Sequence, residues 1–100
     1  MAKSLYVVDM LRGPAWESDK PIRQQALWDE HAAFMDELTE NGFVLLGGPL
    51  GNEEAEAMLV VNSPDEAAVH AMLARDPWRA AGLLSTPRVR RWTIFLESSS

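Results

Sequence analysis

The chain contains no cysteine. A disulfide framework, a thiolate metal centre and a thiol nucleophile are therefore all excluded. No apolar run approaches the roughly 20 residues that span a bilayer, and Met1 to Leu5 is too short before its polar interruptions to act as a secretion signal. These absences predict a soluble cytoplasmic protein. Positive charge is also scarce: nine Lys and Arg against fifteen Asp and Glu leave a formal charge of −6. Such a surface repels a phosphate backbone, which argues against nucleic acid as a partner. One basic cluster stands out, Arg88, Arg90 and Arg91, in a strand-like stretch where alternation sends Arg91 to the face opposite the other two.

What is present is the composition of an ordinary globular protein, 47% hydrophobic and 24% charged over 100 residues. Two cores would leave each half with too little buried surface to offset chain entropy, so a single domain over residues 1–97 is expected. Ser98, Ser99 and Ser100 have nothing to bury and are expected to fray.

Leu5 to Leu11 is apolar at odd and even positions alike, the pattern of a strand buried on both faces. Gly13, Pro14, Ser18, Asp19 and Pro21 make Arg12 to Pro21 a loop, with Arg12 and Trp16 as its notable side chains. From Ile22 to Asn41, stepping about 100° per residue gathers Leu27, Trp28, Phe34, Met35 and Leu38 into one helical sector. His31 falls in its middle. Asn41 and Gly42 supply left-handed closing residues, and Phe43 to Leu46 reads as a short strand ending at Gly47, Gly48 and Pro49. A connection over Leu50 to Glu54 leads into a third strand, Ala57 to Val61. Ser63, Pro64 and Glu66 have the form of a capping box opening a helix from Pro64 to about Arg75. Asp76-Pro77 stops that helix, with room for one further turn before Gly82, and Arg88 to Glu97 alternates as a last strand.

The order β-α-β-β-α-β predicts an α+β, ferredoxin-like sheet with two helices on one face. The other face, equally apolar in the first three strands, calls for a partner, and a homodimer joined sheet to sheet is the economical solution.

Two residues stand out as chemical groups. An imidazole at the centre of an apolar helical stripe is either a core histidine satisfied by a backbone carbonyl or an acid or base facing a pocket. Asp76, read as a carboxylate at a helix C-terminus, lies against the unfavourable pole of the helix dipole, unless it merely initiates a turn before proline. Brought to His31, it would accept from one ring nitrogen and fix the tautomer. Gly47, Gly48 and Pro49 suit a pocket wall but match no phosphate loop. His70 lies at the polar edge of its helix. The two histidines sit on different helices without i, i+4 pairing, and nothing marks a haem or flavin pocket, so neither metal nor cofactor is expected.

The ordered set His31, Gly42, Gly48-Pro49, Ser63, Asp76-Pro77, Gly82 and Trp92 resembles the YciI-like, or YCII-related, proteins over nearly the whole chain. That resemblance implies a dimeric α/β barrel in which each four-stranded sheet packs on its twin. It makes His31 and Asp76 the active-site pair, with Gly48 and Pro49 shaping the pocket. Some members are similar to a dehydrochlorinase acting on a hydroxylated chloroaromatic, and the wider fold resembles muconolactone isomerase. The expectation is a proton-transfer enzyme, a lyase or isomerase on a small hydroxylated aromatic or oxo-acid compound. Arg12, Trp16, Gly48 and Pro49 would hold the substrate, with Arg12 or a last-strand arginine taking an anionic group. The alternative is a non-catalytic module that binds a metabolite in the same pocket.

Overall fold

A computed structural model describes residues 3–98. The ends of both termini discussed above, residues 1–2 and 99–100, lie outside the described residues. Four strands form one antiparallel sheet: β1 (Lys3–Arg12), β2 (Val44–Leu50), β3 (Glu56–Val61) and β4 (Leu84–Ile94), in the order β2-β3-β1-β4. The helices are α1 (Trp28–Glu40), α2 (Glu66–Leu73) and the short α3 (Pro77–Ala80). This is the expected ferredoxin-like arrangement. No helix among the described residues is long and apolar enough to cross a membrane.

Register assigns the faces. Val8 pairs with Leu59, and Tyr6 with Val61; these side chains meet Leu38 of α1 and Val69 and Leu73 of α2 in the core. Fully burying each such side chain contributes about 1.5–3 kcal/mol. The intervening residues, Leu5, Val7, Met58, Arg90 and Trp92, share the helix-free face.

Several boundaries differ from the sequence reading, each for a local reason. α1 begins at Trp28 because Gln25 is extended and Leu27 is left-handed (φ 61°), so Ile22–Gln24 forms a separate 3-10 turn. Gln25 is buried there, its amide accepting from the Glu17 N–H and donating to the Glu17 and Lys20 carbonyls, which fastens the long loop to the start of the helix. At the other end only Gly42 is left-handed, while Asn41 is not. β2 continues through Gly47-Gly48-Pro49 rather than stopping before them. Val44 pairs with Val61 and Leu46 with Val60, so Leu45 is the extra residue of a bulge and adjacent apolar residues no longer alternate. Proline is tolerated because β2 is an edge strand.

Asp65, not Ser63, caps α2: its carboxylate accepts the Ala68 N–H at 2.8 Å, whereas the Ser63 hydroxyl donates to the Asp65 carbonyl. β4 starts earlier than Arg88, at Leu84 opposite Arg12, and ends at Ile94, opposite Lys3. A close approach fixes the loop after β1. A Cβ on Gly13 would lie 2.2 Å from the Gly82 carbonyl oxygen, so only glycine lets this loop reach the turn between α3 and β4.

Candidate active site

Asp76 is not stranded at the end of α2. It is the N-cap of α3: Pro77 occupies the first helical position, and Asp76 Oδ1 accepts the Trp78 N–H at 2.9 Å. The carboxylate is 3% exposed. Its second partner comes from 45 positions away, where His31 Nδ1 lies 2.9 Å from both Oδ1 and Oδ2. An ionised carboxylate only accepts, so in the neutral imidazole Nδ1 carries the proton and Nε2 the lone pair. His31 therefore holds one tautomer by geometry.

The imidazole is also pinned by stacking. Its ring lies parallel to Trp78 at a centroid distance of 3.9 Å and an interplanar angle of 6°. Trp78 is itself buried, donates Nε1–H to the Ala26 carbonyl at 2.6 Å, and receives the edge of Trp16 at 5.3 Å. Trp28 closes the group, 5.6 Å from Trp78 and 6.0 Å from His31. Two tryptophans thus flank the histidine, and Trp16 packs behind one of them.

Beside this cluster lies a cavity of about 550 Å³ between α1, the long loop and β2. His31, Arg12, Trp16, Gly48 and Pro49 all line it, while Asp76 stands behind the imidazole. Among the described residues Nε2 has no protein hydrogen-bond partner, leaving it to the cavity. Gly47 lets β2 lie against Leu59, whose Cδ2 would be 2.5 Å from an added Cβ, whereas a Cβ on Gly48 would meet nothing within 4 Å. Arg12 stacks its guanidinium 4.7 Å from the Trp16 ring centre and donates from Nη2 to the Glu53 and Glu54 carbonyls.

The remaining candidates lie elsewhere. Arg88 and Arg90 reach Asp9 at 3.1 and 3.0 Å on the helix-free face. His70 is exposed, 3.5 Å from Glu66 on its own helix. No group of three or more His, Cys, Asp or Glu side chains is placed to hold a metal among the described residues. Reading the sequence missed Trp78 and the pocket role of Trp28. The signal available was the tryptophan count itself, four of eight aromatic residues.

One consequence is directly measurable. Asp76→Asn retains a single acceptor oxygen for two donors, so His31 adopts the tautomer protonated on Nε2 and presents a donor to the cavity. Ring ¹⁵N shifts should show Nε2–H in the variant and Nδ1–H in the wild type; identical spectra would mean that the carboxylate does not select the tautomer.

A family model described as the YCII-related domain matches residues 12–93. No curated protein matches with significance. Among solved structures the chain is similar to 5-chloro-2-hydroxyhydroquinone dehydrochlorinase from Burkholderia phenoliruptrix AC1100, in complex with 2,5-dihydroxybenzoquinone. The identity is 22% and the TM-score 0.56, over 90% of this chain and 93% of that one. It is also similar to the structural-genomics protein YJCS, at 15% identity and a TM-score of 0.57, over 93% of this chain and all of that one. At these identities the likeness is one of fold.

Proposed function

The chain belongs to the YCII-related family, and within it we propose a small-molecule enzyme of proton-transfer type, a lyase or isomerase acting on a hydroxylated aromatic or oxo-acid compound. The observation that carries this reading is the His31–Asp76 pair at the cavity wall, with Nδ1 committed to the carboxylate and Nε2 open to a ligand. Nε2 takes a proton from a substrate O–H or C–H. The electron pair left behind moves through the conjugated system and either expels an anionic leaving group or collects a proton at another carbon. Neither outcome needs an oxidant or reductant. Asp76 balances the imidazolium formed and holds the ring while the proton is returned.

The cavity suits one substituted ring, since small-molecule sites run to roughly 300–1,000 Å³. Trp16, Gly48 and Pro49 supply its apolar walls. Dehydrochlorination of a chlorinated hydroxyhydroquinone, the activity of a protein similar in fold, is a reaction of this type. A thermal-shift panel of hydroxylated aromatics and oxo acids, followed by turnover assays on the hits, tests the proposal. A ligand at 100 times its Kd adds about 2.7 kcal/mol, or on the order of 10 °C in a domain this small. A panel with no hits, or hits that bind and are never converted, would count against an enzyme.

The working form is a homodimer joined through the helix-free face. Leu46 is 70% exposed there and Trp92 45%, which isolated surface residues of this size rarely are in concert. The double variant Leu46→Glu, Trp92→Glu should sediment as a monomer while the wild type sediments as a dimer; a monomeric wild type at micromolar concentration would refute the assignment.

A further inference from the structure

Arg12 is a half-buried cation without a counter-ion. Among the described residues it makes no ion pair, and its Nε is the one buried side-chain nitrogen or oxygen with no hydrogen-bond partner. Its Nη2 is occupied by two backbone carbonyls, which orient the guanidinium without neutralising it. The Trp16 face offsets part of the charge, but an aromatic ring is only a weak acceptor for an N–H. Buried charges in proteins are ordinarily paired, and here the space beside Arg12 is the cavity that His31 faces.

We propose that Arg12 is the anion subsite of this cavity, and that the substrate is a planar carboxylate which seats its charge on the guanidinium and its exchangeable proton at His31 Nε2. This rests on the reading of His31 as the base and adds the substrate's charge to it. With Nη2 on the carbonyls and Nε shielded, Nη1 is the donor left to the cavity, and an ionised carboxylate is a stronger acceptor for it than a neutral oxygen. Three other arginines are committed elsewhere: Arg88 and Arg90 to Asp9, and Arg79 to Thr86. Asp36, Glu54 and Glu56 also line the cavity, and Arg12 is the one Lys or Arg among its described lining residues. That contrast orients the ligand as well as holding it. Trp16 carries the cation on its ring and packs against Trp78, which carries the imidazole, so both groups are anchored to one aromatic cluster at the cavity wall.

The test is calorimetric titration of the purified protein with 2,5-dihydroxybenzoate and with hydroquinone, which lacks the carboxylate. The wild type should bind the carboxylate at least about tenfold tighter, the worth of one charge-assisted hydrogen bond. Arg12→Gln should erase that preference. Arg12→Lys, which keeps the charge on a shorter donor, should retain part of it and serves as the deciding variant if Arg12→Gln does not fold. Equal binding of the two compounds by the wild type, binding of neither, or a preference that survives in Arg12→Gln would overturn the subsite. Hydroquinone bound and turned over without carboxylate preference would remove the anion subsite and leave the base intact. A carboxylate preference that depends on Arg12, together with turnover unaffected by His31→Gln, would support the subsite and remove the base.

Discussion

Exchanging His31 for glutamine should, on the proposed reading, lower kcat/KM for a confirmed substrate by on the order of 10²–10⁴, the contribution of a positioned acid or base. Glutamine is the informative replacement because its amide can still donate to Asp76, so the buried carboxylate keeps a partner and the fold is spared. What is lost is the lone pair that Nε2 presents to the cavity. Ligand affinity measured on the same variant should change far less than turnover, since the walls formed by Trp16, Gly48 and Pro49 are untouched. A variant that turned over substrate at the wild-type rate would remove His31 from the chemistry, whatever its effect on binding.

Trp78→Ala is expected to be the most damaging single change to stability. Its indole is 1% exposed, and truncating a buried tryptophan costs about 3–5 kcal/mol against a total of roughly 5–15 kcal/mol for a domain. The Ala26 carbonyl loses its donor, and the imidazole loses the surface on which it is stacked. Each kcal/mol is worth roughly 4–8 °C in melting temperature at this size, so circular dichroism on heating should show a large fall or no folded baseline at all. Trp78→Phe separates the two roles. It keeps an aromatic surface for His31 but not the Nε1–H, and should lose only the price of an unmet buried carbonyl, about 1–3 kcal/mol. If Trp78→Ala melted with the wild type, the ring would not be the support inferred for the site.

Much of this was legible in the residues alone. Periodicity located α1, a helix-start signature located α2, turn residues separated the strands, and β-α-β-β-α-β order led to the sheet. His31 stood out because it interrupts an apolar stripe, and Asp76 because it reads as a carboxylate at the unfavourable end of a helix. What remained hidden was tertiary. The Gln25 amide is satisfied by backbone groups of another segment, and no periodicity within Ile22 to Leu27 betrays that these residues are not helical. The bulge at Leu45 breaks alternation, so a strand that continues through two glycines and a proline looked finished at Leu46. Asp76 was assigned to the end of the preceding helix because its partner, the Trp78 amide, belongs to a helix only four residues long, too short to leave a hydrophobic pattern. Trp78 itself carries no periodic signature for the same reason.

The same carboxylate starts a helix and aims the imidazole, so chemistry and architecture share one atom group. A catalytically silent but intact scaffold, of the kind wanted for trapping a bound compound or for grafting a new reaction, must therefore be sought by altering the imidazole and leaving Asp76 alone. Random mutagenesis screened for lost activity should accordingly return Asp76 replacements among the poorly expressed clones and His31 replacements among the well-expressed ones.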